Sequence, residues 1–305
     1  MRNILRFLAG VVLACSLVGC GSATTEEASN NVELDSTALR VAVLPTMECL
    51  PFYVAQECGL YDSLHLSVNL LTFNASMDAD TALHNKRTDV AVTDLVKANL
   101  WCSQGDSISI LMSADLNLYL VTAATARIKS AKSLKEKIIA ITRHSALDYS
   151  TDQILTSVNL KSEELNKPQI NNIALRASML DQQQYDGALL PEPYATVSEG
   201  KGARRVIGSG DVGCAANMMV LVASDSVQKA RKADISLLLK AYDMAVDLIN
   251  KKAKHEAPLL LSYLPMDEQV PDSLAHVPQF KHAAMPPDSA TNSTRQWLKS
   301  RSLVK

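Results

Sequence analysis

The sequence predicts an α/β protein of two lobes, each a mixed sheet flanked by helices, with the second lobe inserted into the first. Three observations carry this. Short apolar runs alternate with helix-period segments from Leu39 to Met112, the same rhythm restarts from Leu118 to Ile207, and a strand at Met218 followed by a long amphipathic segment returns the chain to its first lobe. Strands and helices alternating at this spacing read as βαβ units and, within a lobe, mostly parallel pairing.

The first nineteen residues read as an address. Arg2 and Arg6 make a short basic region, and Leu8 to Leu17 is an apolar stretch too short to cross a bilayer as a mature helix. It ends Leu17-Val18-Gly19-Cys20. This resembles the bacterial lipobox, which implies a signal peptide over 1–19 and lipid on Cys20. An ordinary secretory signal cleaved nearby is the alternative. Residues 20–37 are rich in Ser, Thr, Glu and Asn and lack the apolar surface to offset ordering, so a flexible tether is expected.

The first lobe is expected over 38–117 and 216–305, the inserted lobe over 118–215. In the first, Leu39 to Leu44 is a buried strand that stops at Pro45, and a helix runs from Pro51 to Cys58, ended by Gly59. Strands follow at Leu66–Phe73, Asp89–Val92 and Ile108–Met112, with helices at Asp78–Asn85 and Leu95–Cys102 between them. The inserted lobe holds strands at Leu118–Ala123, Ile138–Ile141, Gly187–Leu190 and Arg205–Ile207, a helix from Ser145 to about Val158, and another started by Pro191. The return strand is Met218–Val222. Over 234–249, Ile235, Leu238, Leu239, Tyr242, Ala245, Val246 and Ile249 recur at i, i+3, i+4, i+7 on one helical face. Helices near Glu256–Leu264 and Thr291–Ser300 close the chain.

Composition excludes several classes. The chain is 47% hydrophobic and 20% charged, as globular proteins are. Without residues 1–19, which hold two arginines and no acid, 28 bases face 32 acids. No basic run stands out, so no nucleic-acid partner is expected. Cys49, Cys58, Cys102 and Cys214 allow three pairings in an oxidising compartment, or four free thiols. No C-x-x-C and no zinc spacing occurs, so neither metal nor cofactor is expected. Gly208 to Gly213 matches G-x-G-x-x-G by letters, but a strand follows where a dinucleotide site needs a helix, so it reads as a turn. No G-x-S-x-G occurs.

Four stretches resemble the NMT1/THI5-like and SsuA-like solute-binding proteins of ABC importers. They are Leu50-Pro51-Phe52-Tyr53-Val54-Ala55-Gln56-Glu57 with Gly59-Leu60-Tyr61; Asp89-Val90-Ala91-Val92-Thr93-Asp94; Asp186-Gly187-Ala188-Leu189-Leu190-Pro191-Glu192-Pro193-Tyr194-Ala195-Thr196; and the closing Trp297-Leu298-Lys299. Together, in order, they cover nearly the whole body. The resemblance implies a type II periplasmic-binding fold: two lobes, two crossovers and a ligand cleft. It also implies a monomeric, extracytoplasmic, lipid-anchored receptor that hands a small solute to a permease and its ATPase. A ligand-presenting sensor is the alternative of another class. A pyrimidine-synthase-like enzyme is a further, weaker alternative: the catalytic relatives the resemblance implies, yeast pyrimidine synthases and menaquinone-pathway enzymes, are intracellular, and the yeast type uses a cysteine-rich iron motif that this chain lacks, so no catalytic residue is expected. The chain departs from the resemblance at Asn74-Ala75-Ser76-Met77, where relatives are glycine-rich, and at Thr46-Met47-Glu48-Cys49.

In open α/β sheets ligands bind beyond the carboxyl ends of the strands. This selects Thr46 and Glu48 after the first strand, Asn74 and Ser76 after the second, Thr93 and Asp94 after the third, Arg143, His144 and Ser145 in the inserted lobe, and Glu192 and Tyr194 after Leu190. Ser145 to Asp148 fits a capping-box variant whose amides could receive a ligand oxygen. Arg143 could pair with a sulfonate, carboxylate or phosphate, or be a surface arginine. Glu192 could bind an amino group or merely stabilise its helix. Tyr149 and Tyr194 could stack on a ring or simply pack. Three acids against one arginine favour an amine-bearing heteroaromatic such as a thiamine pyrimidine precursor. An alkanesulfonate, taurine or nitrate is the alternative.

Overall fold

A computed structural model describes residues 37–214 and 217–305. The expected signal peptide, Cys20 and nearly all of the tether lie outside the described residues, as does the 215/216 boundary.

The elements, in order, are β1 (Leu39–Val43), α1 (Leu50–Glu57), α2 (Leu60–Ser63), β2 (Val68–Thr72), α3 (Ser76–His84), β3 (Val90–Asp94), α4 (Leu95–Gln104), β4 (Ile108–Asp115), β5 (Leu118–Thr122), β6 (Ile139–Ala140), α5 (Ala146–Ser157), α6 (Ile173–Asp181), β7 (Gly187–Pro191), α7 (Tyr194–Gly200), β8 (Arg204–Gly208), β9 (Met218–Ser224), α8 (Asp225–Ala230), α9 (Lys232–Lys252), α10 (Ala257–Ser262) and α11 (Asp288–Ser300). They form two sheets, one ordered β2-β1-β3-β9-β4 and the other β6-β7-β5-β8.

Both sheets are mixed, which corrects the mostly parallel pairing expected from the alternation. β1 lies parallel to β2 and β3. β9 runs antiparallel between β3 and β4, and β5 runs antiparallel between β7 and β8. These two strands follow the passages from one sheet to the other, and a strand that enters after crossing need not obey the βαβ rule.

Strand burial fits the places of β3, β7 and β2. β3 and β7 are buried along their whole length and read Val-Ala-Val-Thr-Asp and Gly-Ala-Leu-Leu-Pro, near-continuous apolar runs suited to strands covered on both faces. β2, at an edge, is only half-buried. Gly187 begins β7 because nothing larger fits: a Cβ there would lie 2.9 Å from both the Val121 carbonyl oxygen and Ile139 Cδ1.

The long helix α9 buries Ile235, Leu238, Tyr242, Ala245, Val246 and Ile249, as the periodicity predicts. Tyr242 meets Phe52 of α1 with ring centroids 5.2 Å apart. Each such fully buried large side chain stabilises the fold by roughly 1.5–3 kcal/mol. The final helix α11 packs on α4, where Asn99 Nδ2 donates to Thr294 Oγ1. It also reaches α5 through Trp297 Nε1, which donates to Asp152 Oδ2 at 2.9 Å.

Two sequence expectations change. Pro191 ends β7 rather than starting a helix, and α7 begins three residues later, after a cis Glu192–Pro193 bond. α6 is a helix where none is expected. Its buried face is Ile173, Arg176, Ala177 and Leu180, an i, i+3, i+4, i+7 set with an arginine in an apolar place. Leu175 on the same helix is exposed, so hydropathy alone hides the pattern. The segment 208–213 forms a 3-10 turn over Ser209–Val212, not a dinucleotide loop. The four body cysteines are free; Cys49 and Cys214 are buried, Cys58 and Cys102 exposed.

Candidate functional site

The carboxyl ends of β1 and β3 and the first turn of α3 face those of β6 and β7 and the first turn of α6. Between them is a small cavity of about 50 Å³, lined by Glu48, Ser76, Thr93 and Asp94 on one side and Thr142 and Arg176 on the other, with Leu44, Leu118, Ile173 and Met219 among its apolar walls. A larger cavity of about 520 Å³ lies beside it, and Glu48 borders both. Glu192, Tyr119, Arg205, His276 and Phe280 also line the larger one. A third, of about 350 Å³, takes Asn74 and Tyr194.

The two faces of the cleft are joined directly. The Met47 amide donates to the Glu192 carbonyl at 2.8 Å, and the Ile173 amide to the Asn74 carbonyl at 2.9 Å. The Ala146 amide donates to Asp94 Oδ1 at 3.0 Å. The same Asp94 oxygen accepts from the Lys97 amide at 3.0 Å, capping α4. One carboxylate therefore serves the first turns of two helices on opposite sides of the cleft. Burial pushes this carboxyl up to about 6, although Lys97 and both amides favour its charge.

Glu48 is held by Thr46, whose hydroxyl donates to Oε1 at 2.7 Å. Both are buried. Burial pushes the Glu48 carboxyl up to about 7, more than the Thr46 bond pulls it down. Ser76 Oγ accepts from Lys97 Nζ at 2.8 Å, and that ammonium pairs with Asp80 at 2.7 Å beneath the cleft floor.

Other expected residues are engaged elsewhere. Glu192 pairs with Arg205 at 2.7 Å and accepts from the Thr196 amide and hydroxyl at 3.1 and 2.9 Å. Arg205 in turn lies 3.9 Å over the Tyr119 ring and pairs with Glu199. Tyr194 is buried, which lifts its hydroxyl to about 12, away from the central cavity. Tyr149 packs edge-on against Trp297, centroids 5.7 Å apart.

The first turn of α5 corrects the expectation of open amides. Ser145 Oγ accepts from the Leu147 amide at 3.2 Å and donates to the Thr142 carbonyl at 2.7 Å. Asp148 accepts from the amide of His144 at 3.1 Å rather than from that of Ser145, so no reciprocal capping box forms. With Ala146 on Asp94, these amides are answered within the protein. Arg143 and His144 are exposed, and Arg143 Nη2 donates to the Lys167 carbonyl at 3.2 Å. Neither lines the central cavity.

The residue that sequence reasoning misses is Arg176. It is 1% exposed. Nε donates to the Leu189 carbonyl at 3.0 Å, and Nη1 to the Ile170 carbonyl at 2.6 Å and the Thr142 hydroxyl at 3.3 Å. Burial draws this guanidinium down to about 10. The available signal is its place in the buried i, i+3, i+4, i+7 set of α6.

Two mixed sheets, the second inserted in the chain between β4 and β9 of the first, with a polar cleft at their strand ends, define the periplasmic-binding-protein fold. Within it the chain belongs to the NMT1-like family, whose model matches residues 33–260. Three solved structures similar to it are the following. The alkanesulfonate-binding protein SsuA from Xanthomonas axonopodis pv. citri bound to MOPS has a TM-score of 0.75 and 15% identity, covering 88% of this chain and 94% of that one. The ligand-binding component of an ABC-type import system from Staphylococcus aureus, with zinc bound, has a TM-score of 0.73 and 16% identity, covering 87% and 92%. The desulfurization enzyme DSZB has a TM-score of 0.60 and 14% identity, covering 88% and 93%. At these identities the likeness is one of fold. No curated protein sequence matches the chain. Among the described residues no cluster of three or more His, Cys, Asp or Glu side chains could hold a metal, and no helix is long and apolar enough to cross a membrane.

Proposed function

We propose that this protein is the solute-binding component of an ABC importer, held outside the cytoplasm by lipid on Cys20, acting as a monomer. Its cleft takes up a small organic solute and presents it to a permease driven by an ATPase. The observation that carries this reading is the cleft, with polar side chains at the ends of strands from two sheets and direct hydrogen bonds across it. Such a cleft suits a two-state closure in which ligand shifts a pre-existing equilibrium.

The lining supports binding rather than chemistry. The central cavity carries no cysteine or histidine, and burial pushes the Cys214 thiol up to about 12, far from a reactive thiolate. An amine-bearing heteroaromatic would find a carboxyl in Glu48 but no aromatic face in the central cavity.

The test is thermal melting of the full chain in mild detergent with pyrimidines, alkanesulfonates, nitrate and amino acids. A ligand at a hundred times its dissociation constant stabilises the folded state by about 2.7 kcal/mol, a rise of several degrees. The ligand should be recovered unchanged. Recovery of a chemically altered ligand would replace the carrier reading by an enzymatic one.

A further inference from the structure

Three buried ionisable side chains, Glu48, Asp94 and Arg176, line the central cavity, and among the described residues none has an ion-pair partner. Arg176 donates to two carbonyls and one hydroxyl, all uncharged. Glu48 receives one side-chain bond, from Thr46. Among the described residues no ion pair includes either of them. The other charged groups nearby are already matched, Asp80 by Lys97 and Glu192 by Arg205. Asp94, which shares the cavity, is bound by two amides.

An ion taken out of water is strongly disfavoured unless opposite charge meets it. Here a guanidinium and a carboxyl face one cavity without pairing to each other. The titratable groups whose ionisation Glu48 influences are Cys49, Tyr53, Tyr194 and Tyr242. A thiol and phenols carry no positive charge in either protonation state, so none of them can meet the carboxylate. A guest with both charges satisfies both walls at once.

We propose that the cleft takes a zwitterionic solute, whose carboxylate or sulfonate lies on Arg176 and whose ammonium lies on Glu48. This rests on the solute-binding reading above. A cavity of about 50 Å³ has room for a head group only. Because Glu48 also borders the cavity of about 520 Å³, the rest of the solute extends there. Ser76, Thr93 and Asn171 line the small cavity and supply the remaining polar contacts. With the cleft empty, burial keeps the Glu48 carboxyl near 7. An ammonium in contact draws it down, so binding at pH 7, where the carboxyl is about half protonated, releases up to about half a proton.

The test is calorimetric titration of the full chain with taurine and the twenty common amino acids. Single-charge probes run beside them: ethanesulfonate and propionate as anions, ethylamine as cation. One zwitterion is expected to bind at least tenfold more tightly than its single-charge counterparts. In wild type, its titration in buffers of different protonation heat should report proton release. Glu48→Gln should abolish that release and weaken the zwitterion at least tenfold, with the anion-only probe bound no more weakly. Arg176→Lys should weaken zwitterion and anion alike. Should that variant fail to fold, the Glu48→Gln comparison and the wild-type proton count still decide. Equal binding of zwitterion and anion, or a Glu48→Gln variant that binds as wild type does, overturns the inference. A pyrimidine, titrated in the same way, that binds while no zwitterion does overturns it and leaves the carrier reading standing. If no zwitterion binds, the inference falls, and the carrier reading is judged by the melting panel.

Discussion

Replacing Glu48 by glutamine keeps the shape of the side chain and an oxygen to accept from Thr46, and removes a charge that the fold buries. Burial lifts the Glu48 carboxyl from 4.5 to about 7. At about 1.4 kcal/mol per pH unit, the ionised carboxylate costs the folded state about 3 kcal/mol relative to the unfolded chain. The sign follows from proton binding. The unfolded chain loses this proton near 4.5 and the folded protein holds it until about 7. Between those values the folded state binds more protons, so stability falls as pH rises, and above about 7 the loss is complete. Asp94, lifted from 3.8 to about 6, runs the same way in a lower window. Glu48→Gln should therefore melt higher than wild type by about 6–12 °C at pH 8, taking about 2–4 °C per kcal/mol for a body of this size. At pH 5 the difference should shrink to the equivalent of about 1 kcal/mol or less. Thermal unfolding of both full-length proteins in one detergent, followed by circular dichroism at the two pH values without ligand, reads this directly. An equal difference at pH 5 and pH 8 would refute a buried, titrating carboxyl at this position.

Three further outcomes follow from single contacts. Lys167 joins Asp148 at 2.6 Å and Asp152 at 3.2 Å, nearly out of water; Lys167→Met should cost about 3 kcal/mol by urea denaturation, and adding Asp148→Asn should recover part of it. Gly187→Ala drives a methyl group against the Val121 carbonyl and Ile139, so a loss of about 1–3 kcal/mol is expected, and an unchanged denaturation midpoint would show that β7 shifts freely. Asp94→Ala removes the α4 cap and the bond to Ala146. It should lower stability by about 0.5–2 kcal/mol and raise the radius of gyration in solution scattering as the cleft opens; unchanged scattering would deny Asp94 a part in holding the cleft.

Much of the first sheet is legible in order. The apolar run Leu39–Leu44, the Asp89–Asp94 segment and the amphipathic face of 234–249 all fall on elements with matching burial. Their side chains are chosen by the layer they enter, and that choice leaves a period in the sequence. Antiparallel placement of β5 and β9 is less legible, because strand direction depends on where the chain crosses between sheets and not on side-chain pattern. α6 is illegible for a different reason, since the side chain on its core face that matters most is an arginine.

The same division runs through the cleft. Of the residues the strand-end rule collects, Glu48, Ser76, Thr93 and Asp94 border one cavity, because the ends of buried strands in an α/β sheet point to a common edge. The rule cannot say which charges are already matched. Glu192 pairs with Arg205, thirteen residues on; Asp94 answers the Ala146 amide, fifty-two residues away. The amino-acid sequence by itself determines the layers, the family and the strand ends where a ligand would lie. Only the tertiary structure decides that Arg176 and Glu48 face the cavity without ionic partners among the described residues, because charge pairing depends on distances between segments that no local pattern records.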